Sequence, residues 1–217
     1  MAAYDRVRRH LPDGMDSREL ERYAIYPYLV AARLRRDLDS AADEALDARI
    51  DAFLAAHAGE PVTSALRRAW LTSLADRGRW DWFLPRAAES TDPVLVCDRW
   101  RGRIATGQTG GLAAEALARF SGPERSPSEC DPVLDWLRSQ GLITPAQQEA
   151  RARAALAANN PAFARELLAG LPAERARPLL EWAQLLESPK SSLDLLTMTP
   201  SLAVEPEALV AGFTRLA

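Results

Sequence analysis

Two cysteines, Cys97 and Cys130, are the residues of this chain whose chemistry depends most on what lies beside them. They stand 33 positions apart, close to the roughly 34 residues of one helical-hairpin repeat of the tetratricopeptide type. Residues one repeat apart lie side by side on stacked neighbours, so the spacing allows a disulfide, which requires an oxidising compartment. It also allows two small apolar thiols buried in separate helices. Spacing leaves both readings open.

The other reactive side chains form no constellation. His10 and His57 are the only histidines, and neither has a partner at metal-ligand spacing along the chain. His57 comes just before Ala58-Gly59, after an amphipathic stretch, where a basic side chain suits a helix C-terminus. No GxSxG elbow, HExxH pair or glycine-rich phosphate loop is present. Gly107-Gln108-Thr109-Gly110-Gly111 comes nearest to such a loop, but it lacks the lysine and the preceding strand and reads as a turn. Glu–Arg neighbours such as Glu19 with Arg22 and Arg175 with Glu181 read as solvated helix faces. No carboxylate sits in a context that would raise its pKa for acid catalysis. The residues thus predict no catalytic site, no metal and no cofactor.

Six tryptophans remain: Trp70, Trp80, Trp82, Trp100, Trp136 and Trp182. Indole rings can stack on sugars, but at helical spacing they belong to a core, and that is the reading for Trp70, Trp100 and Trp136. Trp80 and Trp82, two apart, cannot both face one core, so one of them is expected at the surface.

The elements that must hold these residues are helices. Asp92-Pro93, Asp131-Pro132, Thr144-Pro145, Asn160-Pro161 and Ser188-Pro189 each set a capping side chain before a proline, and proline at the first helical position forfeits no hydrogen bond. Gln147 completes a capping box with Thr144. Starts are predicted near Pro27, Ser40, Pro61, Gly78, Pro93, Thr109, Pro132, Pro145, Pro161, Glu174, Pro189 and Pro206. Apolar stripes recur at helical period: Ala65, Leu66, Ala69, Trp70 and Leu74; Leu134 and Leu137 beside Trp136; Ala152, Ala155 and Leu156; Phe163, Leu167 and Leu168. Alternating β-branched runs are absent. The fold expected is all-α, a superhelical array of antiparallel helical hairpins (an α-solenoid of tetratricopeptide-like type). It would span 23–217, after an N-terminal helical or flexible segment, 1–22. Leu209, Val210, Phe213 and Leu216 keep an apolar face at the end of the array, which suggests that the domain continues.

With 27 basic against 30 acidic residues the net charge is −3, which gives no pull toward nucleic acid. No apolar stretch approaches the roughly 20 residues of a membrane helix. The charged segment Met1–Arg22 is not a secretory signal peptide, which points to the cytoplasm unless a leader has been removed.

Several landmarks carry a family resemblance. Tyr26-Pro27-Tyr28-Leu29, followed by Arg33, Leu34 and Leu38, resembles the start of the helical domain of soluble lytic murein transglycosylases. Arg67-Arg68-Ala69-Trp70-Leu71, Trp80 and Phe83-Leu84 resemble its next hairpin. Cys97, Thr106-Gly107-Gln108, Cys130-Asp131-Pro132, Trp136 and Ser139-Gln140-Gly141 follow in the family's order. Ala155 to Asn160, Ala164-Arg165 and Leu171-Pro172 extend the match, which runs from about 23 to 172.

The resemblance implies a non-catalytic α-superhelical domain of a periplasmic enzyme that cleaves peptidoglycan to 1,6-anhydro products. It also implies a disulfide between Cys97 and Cys130. The family's catalytic glutamate lies in a separate lysozyme-like domain, in a Glu-Ser context followed by further motifs that this chain lacks. Glu89-Ser90 and Glu187-Ser188 are bare dipeptides and do not inherit the role. The expected function is to position the catalytic domain and to contact glycan or protein partners through a concave surface. The alternative is a stand-alone helical-repeat adaptor for a protein segment.

Overall fold

The computed structural model describes residues 2–198 and 206–215. Among these, every regular element is helical, as the capping and periodicity predict. Leu216, the last member of the expected terminal apolar face, lies outside the described residues. The chain divides into two compact units, 1–106 and 107–217, and each is described by itself.

The first unit holds α1 (Ala2–Arg8), α2 (Arg18–Glu21), α3 (Tyr26–Ser40), α4 (Glu44–Ala56), α5 (Val62–Asp76), α6 (Trp80–Ala87) and α7 (Pro93–Ala105). Helix α5 is its centre, packing on α3, α4, α6 and α7. The buried stripe of α5 is Leu66, Trp70, Leu71, Leu74 and Ala75, whereas Ala65 from the expected stripe is exposed. It meets Leu34 and Leu38 of α3, Ile50 and Leu54 of α4, and Phe83 and Ala87 of α6 in one core.

Two predicted starts in this unit shift for local reasons. Ser40 ends α3 rather than opening α4, because its hydroxyl bonds back to Arg36 O at 2.9 Å. Asp43 caps α4 instead, accepting from the Leu46 amide at 2.8 Å. Gly78 takes φ +66° just after α5, the left-handed turn that closes a helix, and α6 opens two residues on at Trp80.

The connection before α3 is lashed down by charge. Arg36 donates both terminal nitrogens to Asp13 at 2.9 Å each, and Arg33 holds Asp16 bidentately at 2.5 and 2.8 Å. Tyr26 donates its hydroxyl to the same Asp16 at 2.9 Å. Arg33 Nε lies 3.1 Å from Asp13 but is not aligned to donate, so this contact is an ion pair only.

The second unit holds α8 (Leu112–Phe120), a single 3-10 turn (Ser128–Cys130), α9 (Asp131–Ser139), α10 (Pro145–Ala157), α11 (Pro161–Leu168), α12 (Ala173–Glu187), α13 (Pro189–Met198) and α14 (Pro206–Thr214). The box at Thr144 and Gln147 opens α10, and Asn160 caps α11 by accepting from the Phe163 amide. Asp131 does not cap: it is already the first residue of α9, entered directly from the 3-10 turn. Ser188 is the C-cap of α12, next to the proline that opens α13. The core here is alanine-rich: Ala152, Ala155, Ala164 and Ala183 are fully buried, so α10, α11 and α12 pack backbone to backbone around Leu156, Leu179 and Trp182.

Candidate functional site

Cys97 is set by α7, whose first turn is fixed twice. Asp92 caps it, accepting from the Val94 amide at 2.9 Å, and also takes Arg68 Nε of α5 at 2.6 Å. The guanidinium holds the Asp92 carboxyl below the usual carboxylate range. One turn on, Cys97 shares the buried face of α7 with Leu95 and Trp100 and is 2% exposed. Cys130 ends the 3-10 turn, its amide donating to Pro127 O at 3.0 Å, and is 1% exposed. Neither is a free thiol; both are disulfide-bonded.

The tryptophans are structural. Trp70 and Trp100 are buried, and Trp136 is half-buried. Trp80 and Trp82 are both half-buried, so neither is the surface residue the spacing predicts. They flank Phe83 on the two sides of α6. Trp82 meets Trp70 edge to face and carries the Arg86 guanidinium 4.6 Å from its ring. Trp80 closes against Gly102 of α7. Arg86 is held in place by Asp51 at 2.8 and 2.6 Å, which lowers the Asp51 pKa.

The sequence reading missed Asp47 and Asp98, the two buried carboxylates among the described residues. Asp47 accepts the indole N–H of Trp70 at 2.8 Å and two N–H groups of Arg77 at 3.0 and 2.7 Å. Asp98 takes Arg101 Nη1 at 2.6 Å. A signal was present: Asp47 falls on the same face of α4 as Leu46, Ile50 and Leu54, where only a paired carboxylate is tolerated. With no exposed surface and three donors on it, Asp47 has no face open to a substrate.

The Glu-Ser dipeptides stay outside any acid–base arrangement. Glu187 is clamped by Arg165 at 3.0 and 2.8 Å, which holds its carboxyl below the usual range. A general acid needs the opposite shift. Glu89 is exposed in the connection after α6. His57 is the C-cap of α4, as expected, with its Nδ1 3.2 Å from the Glu60 carboxylate. His10 is exposed at φ +53°. Among the described residues no group of three His, Cys, Asp or Glu side chains could hold a metal, and no helix is long and apolar enough to cross a membrane.

No family model and no curated protein matches the chain. Solved structures do. The 70-kDa soluble lytic transglycosylase of Escherichia coli superposes with a TM-score of 0.72 over 99% of this chain, at 19% identity. The complex of the 70-kDa soluble lytic transglycosylase with bulgecin A gives the same values. An inactive mutant of the lytic transglycosylase Slt from Pseudomonas aeruginosa gives 0.63 over 98%, at 23% identity. The fold is one found within soluble lytic transglycosylases. This chain spans only 35 to 40% of the length of those transglycosylases. At such identities it is the transglycosylase fold that is shared, and the all-α expectation holds in that form.

Proposed function

We propose that this chain is a non-catalytic helical domain of a peptidoglycan lytic transglycosylase. It positions a catalytic domain on the cell wall and contacts glycan or partner proteins. The observation that carries the reading is the fold match over 99% of this chain to a minor share, 35%, of a lytic transglycosylase. The reading includes an extracytoplasmic, periplasmic setting and a bond between Cys97 and Cys130. Disulfide-bonded cysteines fit an oxidising compartment. Chemistry then belongs to another part of the parent protein: Glu187 is clamped by Arg165, Asp47 is sealed from solvent, and Glu89 is an exposed carboxylate in a connection.

The test is to incubate the purified chain with insoluble murein and to analyse both fractions. Co-sedimentation without release of anhydro-muropeptides is expected. Release of anhydro-muropeptides would show that the chain is itself catalytic.

A further inference from the structure

Arg151 is a half-buried cation with no counter-charge among the described residues. From α10 it donates Nε to Gly122 O at 3.2 Å, and Nη2 to Glu124 O at 3.0 Å and Ser126 Oγ at 3.4 Å. Its guanidinium lies 5.0 Å from the Phe163 ring and 5.9 Å from that of Phe120. All three acceptors are neutral. No carboxylate pairs with Arg151 among the described residues, and burial lowers its pKa. A partly desolvated charge stabilised only by dipoles and ring faces gains most from an anion. Its Nη1 has no protein acceptor among the described residues.

Arg151 lines a cavity of about 270 Å³ within the second unit, whose apolar wall includes Leu117, Leu134, Ile143 and Leu167. Of the other polar side chains of the wall, Ser121, Gln148 and Gln147 are neutral and each spends a polar atom on the protein. Ser121 Oγ donates to Ala118 O, Gln148 Nε2 donates to Leu167 O, and Gln147 closes the Thr144 cap. Arg138 is paired with Asp135 at 2.6 Å, and Glu166 with Arg125 at 3.3 Å. The uncompensated charge of the cavity is therefore Arg151.

We propose that this cavity binds a monocarboxylate carrying a compact apolar group, with the carboxylate on Arg151 and the apolar group against Leu117, Leu134 and Ile143. The cavity volume lies just below the roughly 300–1,000 Å³ of small-molecule pockets, which suits a ligand the size of one acylated amino acid. A neutral ligand could offer Nη1 a carbonyl but would leave the guanidinium charge uncompensated, and a dianion would outnumber the single cation. The inference does not depend on the cell-wall reading.

The test titrates N-acetyl-leucine into the purified chain, followed by two-dimensional amide NMR, with N-acetyl-leucinamide as the neutral control. The acid is expected to shift the amides of α8 and α10 saturably with a Kd of about 1 mM or tighter, and the amide to bind at least about tenfold more weakly. Arg151→Gln removes acid binding. Because that change also frees the 121–127 connection, Leu134→Trp provides a second variant that fills the apolar wall and leaves the Arg151 bonds in place. It too is expected to abolish binding. Equal binding of acid and amide, no saturable shift in the folded wild-type chain, or full binding by Leu134→Trp overturns the proposal.

Discussion

Gly102 lies directly under the indole of Trp80: a Cβ added to Gly102 would meet Trp80 Cε3 at 2.8 Å and Leu84 Cδ2 at 3.0 Å. Glycine inside a helix ordinarily costs about 1 kcal/mol relative to alanine. Here the missing methyl is what lets α6 and α7 close. Gly102→Ala therefore loses stability despite its better propensity, by about 1 to 2 kcal/mol from overpacking. Urea unfolding measures it, and an unchanged or raised midpoint would show that the contact relaxes freely.

Asp47 joins α4 to α5 through Trp70 and Arg77. Asp47→Ala leaves the buried indole N–H without its acceptor and Arg77 without its ion pair, at a cost of about 2 to 4 kcal/mol. Asp47→Asn keeps an acceptor for Trp70, so its loss should be about half as large. Thermal unfolding of the two variants gives the ranking. Equal losses would assign the whole effect to the charge.

Acid should loosen the start of α3 first. Hydrogen bonds from Arg36 and Arg33 depress the pKa values of Asp13 and Asp16 respectively. Their contribution is complete above the ordinary carboxylate value of about 4 and is lost as pH falls through the depressed folded values. Tyr26 has the opposite sign. Burial and then Asp16 raise its pKa, so its contribution holds below about 10 and fades as pH rises through the folded value. Stability profiles of the wild type and Asp16→Asn test this: the variant should have a flatter acid limb and a weaker alkaline loss.

Thiol reagent added to the denatured, unreduced chain should find no reactive thiol, and two after reduction. In the chain-entropy account a bridge spanning 33 positions contributes about 3 to 4 kcal/mol. Reduction should lower the unfolding midpoint accordingly. Two titratable thiols before reduction would overturn the proposed pairing of Cys97 with Cys130, and with it the chemical support for an oxidising compartment.

The helices were legible because their signals are local. Asp92, Thr144 and Asn160 cap the helices their prolines announce, and the stripes around Trp70, Ala152 and Phe163 are buried except at Ala65, Ala69 and Leu167. Where nearby groups compete, sequence misleads. Ser40 and Asp43 both suit a cap, and the carboxylate prevails; Asp131 suits one too, but the 3-10 turn before it has already begun the helix.

Residue order and spacing thus determined the helical character of the described residues, most of the helix starts and the burial of most of the stripes. Capping, proline geometry and amphipathic period act within a few residues of one another, so one dimension is enough to read them. Only the tertiary structure decided that Asp47 is a sealed partner of Trp70 and Arg77, that Trp80 and Trp82 both find cover, and that Arg151 meets no carboxylate among the described residues. Those outcomes depend on which distant side chain arrives within about 3 Å, a separation at which a charge is either paired or left to dipoles.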